Sequence, residues 1–341
     1  MRVRVLPGAG GGEEGHQVIT DPLRFALPEG EVTVTFAEGR VTGFRHAPPG
    51  RAPRDYGFPY SEAFARGLHA AHGPLFLLRD AERDWFVRAR TAYMLDRFLG
   101  GLDRAAPLEV LDYGCGCGSS LAAIRAHFPH ARLTGADLDA FTLAIARARF
   151  EGEAGPPRLL LSEGARLPAG TGAGYDIVQL NAVVEHLLPQ ERPALLGALW
   201  AALRPGGAMI VTETPWRWFP VETHTTSLPL VNYLPDRLAL AALRRCGRFP
   251  RETDWTGALR LGLRGATLRE ILAALPGGEG AAELIRSPAP DARDLLDAWW
   301  HGEVRREGRG KRLAWRALSA LRAATGIVLP PWINVVLRKR G

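Results

Sequence analysis

From Leu108 onward, apolar runs of strand length alternate with segments whose apolar positions recur every three or four residues, the rhythm of successive βαβ units. The pattern predicts strands over 108–113, 132–136, 158–161, 175–180, 207–213, 281–286 and 332–338, with helices between them. That order implies an α/β chain with a seven-stranded, mostly parallel sheet and helices on both faces. Ahead of it the pattern is different. Glu31–His46 alternates Val32, Val34 and Phe36 with polar residues, turns at Glu38 and Gly39 and resumes at Val41, which predicts a β-hairpin. Residues 1–30 are rich in Gly and Pro without periodicity and read as a partly ordered leader. A Pro-rich linker covers 47–59, and helical spacing follows over 63–72 and 80–99. The chain therefore divides into an N-terminal extension, residues 1–100, and a sheet-forming domain, residues 101–341. Within the second part, residues 215–265 break the βαβ rhythm with a Pro- and aromatic-rich stretch at Pro215–Pro220 and hydroxyls around His224. This segment is expected to be an insertion over one edge of the sheet, a common place for a substrate lid. Two helices are expected over 290–326, the second, Lys311 to Ala324, amphipathic and basic.

Residues 108–124, LEVLDYGCGCGSSLAAI, read as a strand, a tight loop and the start of a helix. Gly114, Gly116 and Gly118 let a ligand lie almost on the backbone, where a Cβ would intrude. In an open parallel sheet, ligands sit beyond the carboxyl ends of the strands. Those ends carry a coherent set: Asp112 before the loop, Asp137 after the second strand, Ser162, Glu163 and Gly164 after the third, and Asn181 at the end of the fourth. Asp137, about 20 residues past the loop, suits hydrogen bonds from the two ribose hydroxyls of an adenosine. A dinucleotide fingerprint needs glycine where Ser119 stands, and Asp112 is a poor neighbour for a pyrophosphate but a good one for an ammonium group. S-adenosylmethionine carries an ammonium and a sulfonium and no phosphate.

With these residues in place, the chain resembles the class I S-adenosylmethionine-dependent methyltransferases, with their Rossmann-like sheet, and within them the small-molecule subgroup typified by the ubiquinone-biosynthesis O-methyltransferases. LDYGCGCG at 111–118, TGADLD at 134–139, EGARLP at 163–168, YDIVQLNAVVEHL at 175–187 and LRPGGAMIVTETP at 203–215 match the family's motifs in order. Five ordered motifs are a far more specific signal than one glycine loop. The resemblance implies that Asp112 and the backbone of Gly114, Cys115, Gly116 and Gly118 hold the methionine moiety. It also implies that Asp137 binds the ribose, Leu138 packs on the adenine, Glu163 and Gly164 meet the adenine edge and Asn181 faces the methyl donor.

Methyl transfer is an in-line displacement at an activated carbon, so the protein must align the nucleophile and, for a hydroxyl, take its proton. His186 and His224 are the best candidate bases, with Glu185 to orient His186 or to act itself. In ubiquinone-pathway relatives a further Glu three residues before the Glu-His pair completes a divalent-metal site. Ala182 stands there, so the sequence predicts no metal. Trp216, Trp218, Phe219 and Tyr233 either wall an acceptor pocket or anchor the insertion, and Trp85, Arg88 and Arg90 are candidates to close the cofactor pocket from the other side.

The remaining inventory sets the partners. Residues 301–341 hold ten Lys or Arg against two Glu, so the net charge of +7 is concentrated in the tail. That suits an anionic or lipid-like small-molecule acceptor or peripheral contact with a membrane surface. Nucleic acid is the weaker partner, because an Asp/Asn-Pro-Pro-aromatic motif, usual in amino-methylating enzymes of DNA, is replaced by Asn181-Ala182-Val183-Val184. Transfer to nitrogen or carbon, and a non-catalytic cofactor-binding module, remain the other readings. Three cysteines cannot make a disulfide framework, and with no export signal or long apolar run the expected compartment is the reducing cytoplasm.

Overall fold

The structure is a computed structural model and describes residues 4–5, 18–247, 250, 252–302 and 308–340. The leader expected at 1–30 lies partly outside the described residues, as do Glu303, Arg305, Arg306 and Glu307 of the basic tail.

The extension begins with an antiparallel meander in sequential order: β1 (Arg4–Val5), β2 (Val18–Leu27), β3 (Gly30–Ala37), β4 (Arg40–Ala47) and β5 (Arg54–Asp55). The predicted hairpin is β3 and β4, and strict alternation buries Val32, Val34 and Phe36 on one face. β2 escaped the pattern because Asp21 and Pro22 sit where its register against β3 shifts, between Thr20 and Leu23.

The two predicted helices are the two arms of α1 (Glu62–Phe98), capped by Ser61 and separated by Gly73, whose backbone is not helical (φ 82°, ψ 170°), just before Pro74. Its first half closes the meander's core with Phe64, Leu68, Leu77 and Leu78. The second half lies in another core, where Met94 and Leu95 pack with Val110, Leu121 and Ile124. A buried charge cluster joins the two parts: Arg149 bonds Asp80 at 2.7 Å and Asp84 at 2.9 Å.

The large sheet runs through β6 (Glu109–Tyr113), α2 (Ser119–His127), β7 (Arg132–Asp137), α3 (Ala140–Arg149), β8 (Arg158–Leu161), β9 (Tyr175–Asn181), α4 (Arg192–Ala202) and β10 (Leu203–Pro215). The insertion adds α5 (Asp236–Arg245) and α6 (Trp255–Arg260), and α7 (Leu268–Ala273), β11 (Ala282–Leu284), α8 (Leu295–His301), α9 (Arg309–Thr325) and β12 (Trp332–Lys339) complete the chain. Strand order is β11-β12-β10-β9-β6-β7-β8, with β6 to β10 mutually parallel where they pair and β12 antiparallel to both β10 and β11. All seven strands fall where the pattern placed them. β9 is buried along nearly its whole length, which explains why YDIVQLN reads as a continuous run rather than an alternation. The chain leaves β6 toward β7 and β8 on one side and returns to β9 and β10 on the other, which opens a crevice at the carboxyl ends of β6 and β9.

The insertion does not cover an edge. It leaves and re-enters at the end of β10, where Trp216 bridges Ala266, and it has its own small core of Val231, Ala239, Leu243, Ala258 and Leu263. Because β12 folds back along β10, β10 is an interior strand and the insertion caps the strand ends instead. The basic helix α9 has no buried residue and is held by Trp315 stacked on Trp300 (5.1 Å) and by Arg322 bonded to Asp294 and Asp297. Among the described residues no helix is long and apolar enough to cross a membrane.

Candidate active site

The crevice holds a cavity of about 390 Å³ lined by Tyr113, Gly114, Asp137, Leu138, Gly164, Ala165, Ala182, Val183, His186, Leu187 and Arg260. Its floor is the glycine loop. Gly114, Gly116 and Gly118 all have positive φ, and a Cβ on Gly114 would stand 2.4 Å from a Val183 methyl. Gly118 starts α2, where a Cβ would meet Phe150 at 2.9 Å. The Gly114 and Cys115 amides donate to the Ala136 carbonyl, and the Gly116 amide donates to Asp137 Oδ2 at 2.8 Å, which ties the loop to the end of β7.

Asp137 holds its other oxygen against the Asp139 amide at 2.9 Å and still borders the cavity, beside Leu138, whose side chain is 55% exposed. Asp112 lies beneath the loop instead of on the cavity wall. It is fully buried, accepts from the Ser120 hydroxyl and keeps Oδ1 without a partner. Burial pushes its carboxyl up to about 7, opposed by the Ser120 bond and reinforced by the Asp137 charge. The Cys115 thiol is buried behind the loop and raised by that burial. Gly164 and Ala165 reach the cavity while Glu163 is exposed outside its lining, and Asn181 is occupied by the Thr212 hydroxyl at 2.9 Å.

Of the three candidate catalytic groups only His186 lines the cavity, and Glu185 and His224 converge on it from behind the wall. His186 Nε2 is 3.8 Å from Glu185 Oε1, the rings of His186 and His224 are 5.3 Å apart, and one ligand atom from each of the three residues lies within 4.8 Å of the others. Glu185 sits in a one-turn 3₁₀ helix, Val184–His186, placed by Ala182, which takes a left-handed φ of 55° at the exit of β9. His186 Nδ1 is 2.7 Å from the Arg260 carbonyl. A carbonyl only accepts, so Nδ1 carries the proton and Nε2 keeps its lone pair. Burial raises Glu185 to about 8 and lowers both imidazoles, so at neutral pH all three groups favour the uncharged state.

Sequence reasoning paired Glu185 with His186 and named His224 apart from them, and the fold brings the three together. Tyr113, Val183 and Arg260 on the cavity wall were missed. Arg260 arrives from the insertion, about 80 residues beyond β9, and leaves no local signal. Of the aromatic candidates, Trp216 packs on the sheet's core, and Trp218 and Tyr233 form a half-exposed ring pair away from the cavity. Arg90 is buried among Gly302, Glu213 and Asn334, Arg88 binds Asp84 and Gly57, and Trp85 packs on Tyr56, so none of the three lines the cavity.

Residues 111–209 match the family described as "Methyltransferase domain". A trans-aconitate 2-methyltransferase of Methylobacterium radiotolerans is 35% identical over 31% of this chain and 38% of its own length. A demethylmenaquinone methyltransferase of Thermus thermophilus is 33% identical over 32% of this chain and 49% of its own. The chain thus spans less than half the length of these two curated relatives. A trans-aconitate 2-methyltransferase of an Azoarcus species is 29% identical over 54% of this chain and 76% of its own length. Among solved structures, an amino pentose methyltransferase of Micromonospora echinaspora with bound S-adenosylmethionine is 31% identical over 42% of this chain and 57% of its own, with a TM-score of 0.34. Sheet order, glycine loop and family match agree: residues Leu111 to Met209 form the core of a methyltransferase domain built on the class I fold.

Proposed function

We propose that this protein transfers the methyl group of S-adenosylmethionine to an oxygen of a small-molecule acceptor, with His186 as general base. The observation that carries this reading is His186 on the wall of the same cavity whose floor is the glycine loop and the Asp137–Leu138 strand end, with Nδ1 held by the Arg260 carbonyl so that Nε2 keeps its lone pair. The cofactor residues implied by the resemblance then divide by depth. The loop backbone takes the methionine moiety, Asp137 the ribose, Leu138 the adenine face, and Gly164, with Glu163 beside it, the adenine edge. Asp112 acts from below the loop, through its unpartnered oxygen, and Asn181 from the end of β9. Glu185 and His224 lie behind His186 and hold its ring, with Glu185 Oε1 3.8 Å from Nε2 and the His224 ring 5.3 Å away. Two of the relatives are named for small molecules, trans-aconitate and demethylmenaquinone, which supports an acceptor of that size.

His186→Ala is expected to lower kcat about 10²–10⁴-fold while S-adenosylhomocysteine binds as before, and His224→Ala to lower it less. Turnover and calorimetric cofactor affinity measured on the same preparations check this, and unchanged turnover in both variants overturns the general-base role. Gly114→Ala probes the floor independently. At φ 81° and 2.4 Å from Val183, the added methyl costs roughly 1–3 kcal/mol and should weaken cofactor binding by up to about 100-fold.

A further inference from the structure

The sequence supplies two metal-ligand types side by side, Glu185 and His186, and the residue that would make a third is Ala182. The fold supplies a third from elsewhere. We propose that Glu185, His186 and His224 form a binding site for a first-row divalent transition-metal ion such as Zn²⁺ or Co²⁺, with the insertion contributing the ligand that β9 lacks.

Four features of the cluster support the site. Oxygen and nitrogen ligands about 2.1 Å from a tetrahedral ion stand roughly 3.4 Å apart, and here the Glu185–His186 pair is already at 3.8 Å, with all three atoms inside 4.8 Å. The Arg260 carbonyl takes the Nδ1 proton of His186 and turns Nε2 toward the cluster, the outer-shell arrangement that fixes a ligating histidine. Glu185 is completely buried, and its Oε1, the atom nearest His186 Nε2, has no hydrogen-bond partner, while Oε2 accepts from Thr214. An unpartnered buried carboxylate oxygen beside a lone pair is a cost that a cation removes. Lastly, Gly262 clears the ground for His224: at φ 90° a Cβ there would lie 2.3 Å from the imidazole.

The donor set decides the metal. Two imidazoles and one carboxylate favour zinc, cobalt or iron(II) over magnesium or calcium, which take oxygen ligands. Three protein ligands leave a coordination position for water or an acceptor oxygen, whose proton the ion would loosen. That use in turnover rests on the methyl-transfer reading above and would replace the free-base role of His186, because Nε2 cannot hold the ion and accept a proton at once, whereas ion binding itself rests on neither role.

The test is a Co²⁺ titration of the chelator-treated full chain, followed by visible d–d absorption. One equivalent should bind, excess Mg²⁺ should not displace it, and Glu185→Gln, His186→Asn and His224→Asn should each weaken it more than about tenfold. Gly262→Ala, which disturbs His224 without altering any ligand, should weaken it as well, and it keeps the test standing if a ligand variant fails to fold. S-adenosylhomocysteine binding, measured in parallel, reports whether each variant retains the cofactor site. Less than one equivalent in the wild type overturns the proposal, and so does binding that all folded variants retain. Loss of cofactor binding with Co²⁺ retained would count against the methyl-transfer reading and leave the ion site intact.

Discussion

Arg149→Met is expected to lower the unfolding free energy by about 3–5 kcal/mol and to weaken cofactor binding together with it. Arg149 closes α3, and its guanidinium is fully buried between Asp80 and Asp84 of α1, with its face 4.3 Å from the Tyr60 ring. Burial already raises the Asp80 carboxyl against the lowering pull of Arg149, so removing the cation leaves two carboxylates facing each other in a dry site. Arg88 compensates Asp84 only from the outside, at 2.8 Å. The functional consequence comes from the remaining donor: Arg149 Nε binds the Cys117 carbonyl at 2.6 Å, inside the glycine loop. The N-terminal extension therefore steadies the cavity floor through Arg149, beside the packing of Cys117 in the extension's core. Denaturant unfolding should show the drop with an unchanged m-value, and adding Asp80→Asn and Asp84→Asn to Arg149→Met should recover much of it, since the uncompensated charge and not the lost volume is the main penalty. A drop below about 1 kcal/mol, or a triple variant no better than the single one, would contradict this.

The strands and the glycine loop were legible because both signals are local. Burial on two faces writes YDIVQLN as an apolar run, and the close approach of Val183 writes Gly114 as glycine. The hairpin was legible for the same reason, since Val32, Val34 and Phe36 alternate with nothing to interrupt them. β2 was hidden by a register shift at Asp21–Pro22, whereas the break at Gly73–Pro74 was legible as the gap between two helical stretches. What the sequence could not hold is the distance between segments. His224 and Arg260 come from an insertion whose position depends on β12 folding back along β10, a pairing some 120 residues apart, so their meeting with Glu185 and His186 has no trace in local pattern. The same long-range pairing explains why the insertion was expected over an edge: β10 is an edge strand until the end of the chain returns to cover it.

Asp112→Asn is expected to flatten the pH dependence of stability in the cofactor-free protein by on the order of 3 kcal/mol between pH 5 and pH 8.5. The Asp112 carboxyl is raised from 3.8 to about 7, chiefly by burial, so the folded state holds its proton more tightly than the unfolded chain does. Its stabilising contribution is complete below about pH 4 and is lost as pH rises through about 7, above which the buried anion is a constant penalty. The amide in the variant accepts from Ser120 as the carboxylate does and has no charge to bury, so the wild type minus variant difference isolates this one group. The cofactor reverses the sign. If its ammonium engages the unpartnered Oδ1, binding draws the carboxylate into its charged form and releases a proton. Wild-type affinity for S-adenosylhomocysteine should then climb with pH up to about 7 and level off, while the variant binds weakly and without that slope. Denaturant curves and calorimetry at pH 5 and pH 8.5 read both effects, and parallel pH profiles for the two proteins would sink the assignment of Asp112 as the group that senses the methionine end of the cofactor.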